Sequence, residues 1–255
     1  MMRIFKTSIL FDFLLVAALL MNCNDDDPVS AINSNGDVSN TNFAAEERCS
    51  CEIDVLHHTD LRVEGINGSI EITQKEGMNS ALIIVEKRVE SESTADAELH
   101  LDMLEASIEN LTNEIFVHTD QPKNSHGRNY IVNYTIMLPR NLDVTVNTIN
   151  GIVTLNEIFG NVFVGLVNGS IDSEITIPLD GTITLNVVNG GIELDIPRNT
   201  STQLSATIVN GDISVSNLDL QNRVETLTSL SGRCGDGRGN ISLGTINGNI
   251  LISGF

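Results

Sequence analysis

At 255 residues with 41% hydrophobic side chains, the chain suits one large or two small domains and can bury a substantial core. The apolar residues are mostly Ile, Leu and Val, with no Trp and 4% aromatics, which favours regular strands over a broad aromatic binding face. Thirty-four acidic against 14 basic residues give a formal net charge of −20, a near field that sets nucleic acid and anionic lipid head groups aside as partners of the folded part.

The first element is a targeting segment. "MMRIFKTSILFDFLLVAALLMNC" has Arg3 and Lys6, then an apolar run from about Phe13 to Met21, then Cys23, the order of a signal peptide. The run is too short for a standard membrane span. A cysteine closing it after "LLMN" resembles the lipobox of bacterial lipoproteins, with Asn22 where most have a small residue. Residues 1–22 are therefore expected to be removed and Cys23 to be acylated; two or three acyl chains hold firmly where one binds only marginally. Ordinary signal-peptidase cleavage and a retained anchor interrupted by Asp12 are the alternatives.

Residues 23–48 are rich in Asp, Asn and Ser with little to bury, so they read as a disordered acidic tether that holds a folded domain, 49–255, away from a membrane. Cys49, Cys51 and Cys234 lie in that domain. In an oxidising compartment Cys49 or Cys51 can pair with Cys234 more easily than Cys49 with Cys51, and free thiols are the other outcome. A zinc site from "CSC" with His57 or His58 lacks a second ligand pair at a familiar spacing.

"SESTADAELHLDMLEASIENL" spaces Ala97, Leu101, Leu104, Ile108 and Leu111 by four, three, four and three residues. This predicts an amphipathic helix over about 94–110, capped by Ser93 or Thr94, near the N-terminal end of the domain. Its structural role would be to cover an open edge; docking a partner is the alternative.

The rest of the chain repeats a refrain. Asn67-Gly68, Asn150-Gly151, Asn168-Gly169, Asn189-Gly190, Asn210-Gly211 and Asn247-Gly248 each follow an Ile or Val, and the last five fall at intervals of 18, 21, 21 and 37 residues. A period of about 20 marks stacked units. Six and four residues before each Asn, and three and five after it, stand apolar columns such as Val162, Val164 and Ile171, so each unit is strand, turn, strand with one face buried. Asn-Gly favours a type I′ hairpin tip, and a meander or barrel of hairpins fits. A coil corner fits as well. The aliphatic residue before each Asn (Ile149, Val167, Val188, Val209, Ile246) favours the corner, because a hairpin would aim it at the polar face. The expected fold is thus all-β, a single-stranded β-solenoid of about 20-residue coils, with Gly160, Gly181 and Pro197–Thr200 at the opposite corners.

No nucleophile elbow, phosphate loop or metalloprotease motif is present, so no catalytic residue and no cofactor is expected. Stacking places Asp172 over Glu193 and Glu174 over Asp195, a like-charge arrangement that reads first as a solvated acidic face. A weak cation patch and a glycosidase dyad are the sharper alternatives.

The order "EGINGSIEI", an insertion, "MLPRNLDVTVNTINGIVTL", successive "VNG" coils and a closing "GRGNISLGTINGNILI" resembles the bacterial adhesin-like family of unknown function over roughly 52–255. That resemblance implies a secreted or membrane-tethered β-solenoid without established catalytic residues. The expected function is a lipid-anchored envelope protein, at the outer membrane or cell surface, with a non-catalytic binding or adhesion domain for a protein or polysaccharide partner. The alternatives are an envelope structural or stress-response accessory that assembles through solenoid ends, including a homo-oligomer through an uncapped C-terminal coil, and a polysaccharide-acting enzyme.

Overall fold

The structure, a computed structural model, describes residues 24–25, 43–140 and 142–255; Cys23 and the leader lie outside the described residues. Its N-terminal part comprises β1 (Asn24–Asp25), β2 (Phe43–Asp54), β3 (Asp60–Glu64), β4 (Ile70–Lys75), β5 (Ser80–Ser91), α1 (Thr94–Leu101), β6 (Glu105–Asn110), β7 (Glu114–Asp120) and β8 (Asn129–Pro139). There follow two long bent strands, β9 (Asp143–Phe159) and β10 (Val162–Thr176), and the paired segments β11 (Thr182–Asn189) with β12 (Ile192–Ile196) and β13 (Thr202–Asn210) with β14 (Ile213–Ser216). The chain ends with β15 (Gln221–Glu225), β16 (Ser229–Cys234), β17 (Gly239–Asn247) and β18 (Ile250–Gly254).

Parallel register builds the stack. Val162 pairs with Val144 on one side and Ile183 on the other, and Ile171 pairs with Val153 and Ile192. Each coil therefore contributes one segment to a leading wall, bends at Asn-Gly, and contributes a second segment to a trailing wall. The apolar columns meet between the walls: Val164, Leu185, Leu243 and Ala206 from one, Ile171, Ile192 and Ile250 from the other, all buried. Burying each larger side chain of this kind contributes about 1.5–3 kcal/mol, so the stack is held by its interior, and the Asn-Gly bend serves to keep both walls facing it. Gly160, Gly181 and Pro197–Thr200 fall between β9 and β10, before β11, and between β12 and β13, where the chain returns to the leading wall.

Layer order departs from chain order at both ends. The last coil, β17–β18, lies between β11–β12 and β13–β14, so it is covered on both sides and the expected uncapped C-terminal coil is not the end of the stack. That end is the 202–216 layer, because residues 217–238 form the β15–β16 hairpin and β16 pairs antiparallel with β13. At the other end β7 and β8 add a layer beside β3 and β4, extended by β6 on the leading wall and by β5 and β2 on the trailing wall.

The helix is shorter than its spacing predicts. Ser93 caps it through the Asp96 N–H at 3.2 Å, but it ends at Leu101, and Glu105–Asn110 is strand β6, paired antiparallel with β7. Leu104 and Ile108, four residues apart, satisfy a period of two as well as the longer step, and a free edge on β7 decides between them. α1 packs on β2 and β5, the strands that extend the trailing wall at this end of the stack. The tether is shorter too: β2 begins at Phe43, where Ala45 and Cys49 face inward and every residue to Asp54 pairs with β5.

Candidate binding groove

The Asn-Gly corners form a continuous column. Asn150 donates from Nδ2 to Asn67 Oδ1 (2.6 Å), Asn168 to Asn150 (2.8 Å), Asn189 to Asn168 (2.8 Å), Asn247 to Asn189 (2.7 Å) and Asn210 to Asn247 (2.8 Å). Asn67 closes the column by donating to the Tyr130 carbonyl at 3.2 Å. The glycines follow the same order with positive φ, 140° at Gly169 for instance, and a Cβ there would lie 1.7 Å from the Gly151 carbonyl oxygen. Both residue types are thus consumed by stacking one layer on the next, and the corner is scaffold.

The residue before each Asn faces outward, contrary to the inward corner position expected for it. Ile149, Val167, Val188, Val209 and Ile246 are between 37% and 62% exposed, whereas Thr148, Leu166, Val187, Ile208 and Thr245, one position earlier, are at most 5% exposed. Strand alternation simply runs up to the Asn. Parallel pairing, not this residue, makes the fold a solenoid. The outcome is a ridge of five β-branched side chains, one per layer at roughly 4.8 Å steps, exposed on the leading wall.

Beside the ridge runs a groove of about 770 Å³. Its floor is the outward position three before each Asn, filled by Asn147, Gly165, Asn186, Gly244 and Thr207. Gly165 and Gly244 offer no side chain, and the neighbouring amides occupy that room: a Cβ on either glycine would meet Asn147 Oδ1 or Asn186 Oδ1 at 2.9 Å. Small residues and flat-lying amides keep the floor low while Val167 and Val188 stand above it. The groove reaches Glu64, which pairs with Arg62 at 3.2 Å; that guanidinium lies 3.8 Å over the Phe116 ring, itself stacked on His118.

The other residues singled out by sequence lie elsewhere. Asp172 pairs in register with Glu193 and Glu174 with Asp195, on the outer side of the trailing wall, across the coil from the groove. Among the described residues no three His, Cys, Asp or Glu are grouped so as to hold a metal ion. A disulfide from Cys49 or Cys51 to Cys234 is ruled out within one chain. The two cysteines of β2 sit beyond β5 at one end of the stack and Cys234 sits on β16 beyond β13 at the other, a separation of about nine strand spacings, on the order of 40 Å, against the roughly 7 Å between Cα atoms that a disulfide tolerates. Burial, with a contribution from Asp219, pushes the Cys234 thiol up, away from the reactive thiolate. Two bidentate ion pairs fasten loops to the stack. Arg128 meets Asp96 at 2.6 and 2.8 Å and, with Ser91, holds its carboxyl well below the usual range; Arg238 reaches Asp180 at 2.9 Å and lowers it likewise.

Sequence reading missed the ridge, although a parity count from the buried columns would have placed those residues outside. No curated protein matches the chain. Among solved structures it is similar to a candidate cell-adhesion protein from Clostridium sporogenes, at 11% identity over 82% of this chain and 100% of that one with a TM-score of 0.53. It is also similar to a candidate adhesin from Bacteroides fragilis, at 13% identity over 81% and 97% with a TM-score of 0.23. At 11% identity the first of these likenesses concerns the fold alone, an all-β architecture. The Toastrack DUF4097 family model matches residues 24–253, so the chain belongs to the Toastrack DUF4097 family.

Proposed function

We propose that the chain is a non-enzymatic, adhesin-like binding protein of the bacterial envelope, anchored through an acylated Cys23, and that the leading-wall groove takes its partner. The observation that carries this reading is the line of Ile149, Val167, Val188, Ile246 and Val209 exposed beside a groove with a low floor. A soluble domain seldom leaves contiguous aliphatic side chains in water without using them. The lining is mostly aliphatic and amide, with the exposed Phe163 ring beside Gly165, which suits an uncharged, apolar stretch of a partner protein. In-register parallel pairing of the layers keeps the ridge regular, and the acidic trailing wall keeps the other side soluble.

The test is adherence of intact cells carrying the full chain to a panel of immobilised extracellular-matrix proteins. Val188→Asp is expected to reduce adherence to that of cells without the protein, and Cys23→Ser to release the chain into the medium. Unchanged adherence of Val188→Asp cells contradicts the reading. A second reading, a structural or stress-response accessory that assembles through solenoid ends, draws support from the outer edge of β14, which no strand among the described residues pairs with.

A further inference from the structure

The stack ends at the 202–216 layer, and its two walls end differently. On the leading wall β16 covers β13 from Thr202 to Thr207, and β15 outside it carries Arg223 and Glu225. On the trailing wall, among the described residues, β14 pairs with β18 alone. Its sequence, Ile213-Ser214-Val215-Ser216, has neither charge nor proline, the devices that usually keep an edge strand from pairing.

The direction of its backbone groups follows from the ladder. Ile250 N–H donates to the Asp212 carbonyl at 2.9 Å, and Ile213 is the register partner of Ile250. In a parallel ladder residues 212, 214 and 216 then aim their groups at β18, and Ile213 and Val215 aim theirs outward. The side chains are equally unfinished: Ile213 and Val215 are half-buried, whereas their counterparts Ile192, Leu194, Ile250 and Ile252 are at most 1% exposed.

Charge indicates what can approach. A chain of net charge −20 repels its copies, but the field is uneven: residues 141–197 hold seven carboxylates and no Lys or Arg, while residues 198–255 hold four arginines and four carboxylates. Counted along the sequence this end is the least charged part of the folded chain, so a second copy meets the least like-charge repulsion here. The corner there also exposes Val209 (62%) and, on the hairpin tip that bonds to Ile208 through Thr228, Leu227 (96%).

We infer that this edge takes a second copy of the chain, β14 pairing antiparallel with its counterpart about a two-fold axis at Ser214. The parity closes: Ile213 faces Val215 of the second copy in a hydrogen-bonded pair, its symmetry mate does the same, and the two Ser214 residues meet in a non-hydrogen-bonded pair with Cβ atoms about 4.5–5.5 Å apart. Such an interface is isologous and closed, so it gives a dimer and not a filament.

Ser214 is exposed and outward, so changing it leaves the core intact. In the full chain in its membrane, Ser214→Cys should give a covalent dimer on mild oxidation, whereas wild type and Glu193→Cys, two layers further in on the same wall, should not. In detergent the wild-type chain should sediment at twice its mass and Ser214→Lys, which opposes two like charges, at its single mass. Cross-linking of Ser214→Cys no greater than that of Glu193→Cys overturns the inference, as does a wild-type chain that sediments singly at micromolar concentration, which would leave the edge to a foreign strand. The inference does not rest on the groove, so loss of adherence in Val188→Asp with an intact dimer separates the two.

Discussion

A methyl group at Gly169 would collide with the Gly151 carbonyl oxygen at 1.7 Å in a backbone with φ of 140°, so neither conformation nor layer spacing accommodates it. Gly169→Ala is expected to destabilise the protein by more than about 3 kcal/mol in urea unfolding, a sum of left-handed strain and separated layers. Gly77 offers the comparison: its φ is 81° but nothing lies within 4 Å of an added Cβ, so Gly77→Ala should cost only about 1 kcal/mol. Gln74 is fully buried, donating to the Leu142 carbonyl at 2.6 Å and accepting from the Phe159 N–H at 2.8 Å. Gln74→Leu leaves both backbone groups unpaired and should lower stability by about 2–4 kcal/mol on the same measurement. Of these residues only the Asn-Gly pairs were legible in advance, because they recur at a fixed place in each repeat. Gln74 occurs once, and its partners come from 68 and 85 residues away, so no local pattern announces it. Val188 was visible but misplaced, since an aliphatic residue beside a turn reads as core until its parity is counted.

Strand elements were legible wherever apolar columns alternate, and helix α1 was legible only where its cap and acidic first turn support it. Beyond Leu101 the same residues satisfy both periods, and pairing with β7, a contact between elements, decides for strand. The start of β2 was hidden for a related reason: "FAAEER" is polar on the side that faces water, and only pairing with β5 makes it a strand. Asp96 ties α1 to Arg128, and its carboxyl is held below the usual range by those hydrogen bonds and by Ser91. A carboxylate depressed in the folded state stabilises above its ordinary pKa near 4 and loses that contribution as pH falls toward its folded value. Asp96→Asn should therefore melt below wild type at pH 7, with the gap narrowing below about pH 4; thermal melts at pH 7 and pH 3 check this, and a constant gap would point to lost packing instead.

At the scale of the molecule the stack was legible and its order was not. The interval of 37 residues between the last two refrains is about two repeats long, yet it encodes a hairpin, after which the chain returns to an inner layer. That return depends on β17 finding both β11 and β13, a choice between edges of nearly equal chemistry that the sequence of the coil itself does not rank. The Arg238–Asp180 pair marks where the returning chain re-enters. Placing the groove likewise requires knowing which wall carries which parity, since the ridge exists only once the layers are stacked in register. The most direct measurement is photo-crosslinking on intact cells, with a benzophenone side chain at position 188 on the leading wall or at position 172 on the trailing wall. Partner adducts are expected from position 188 and not from position 172; equal adducts from both, or adducts from position 172 alone, would contradict the assignment of the groove as the binding surface.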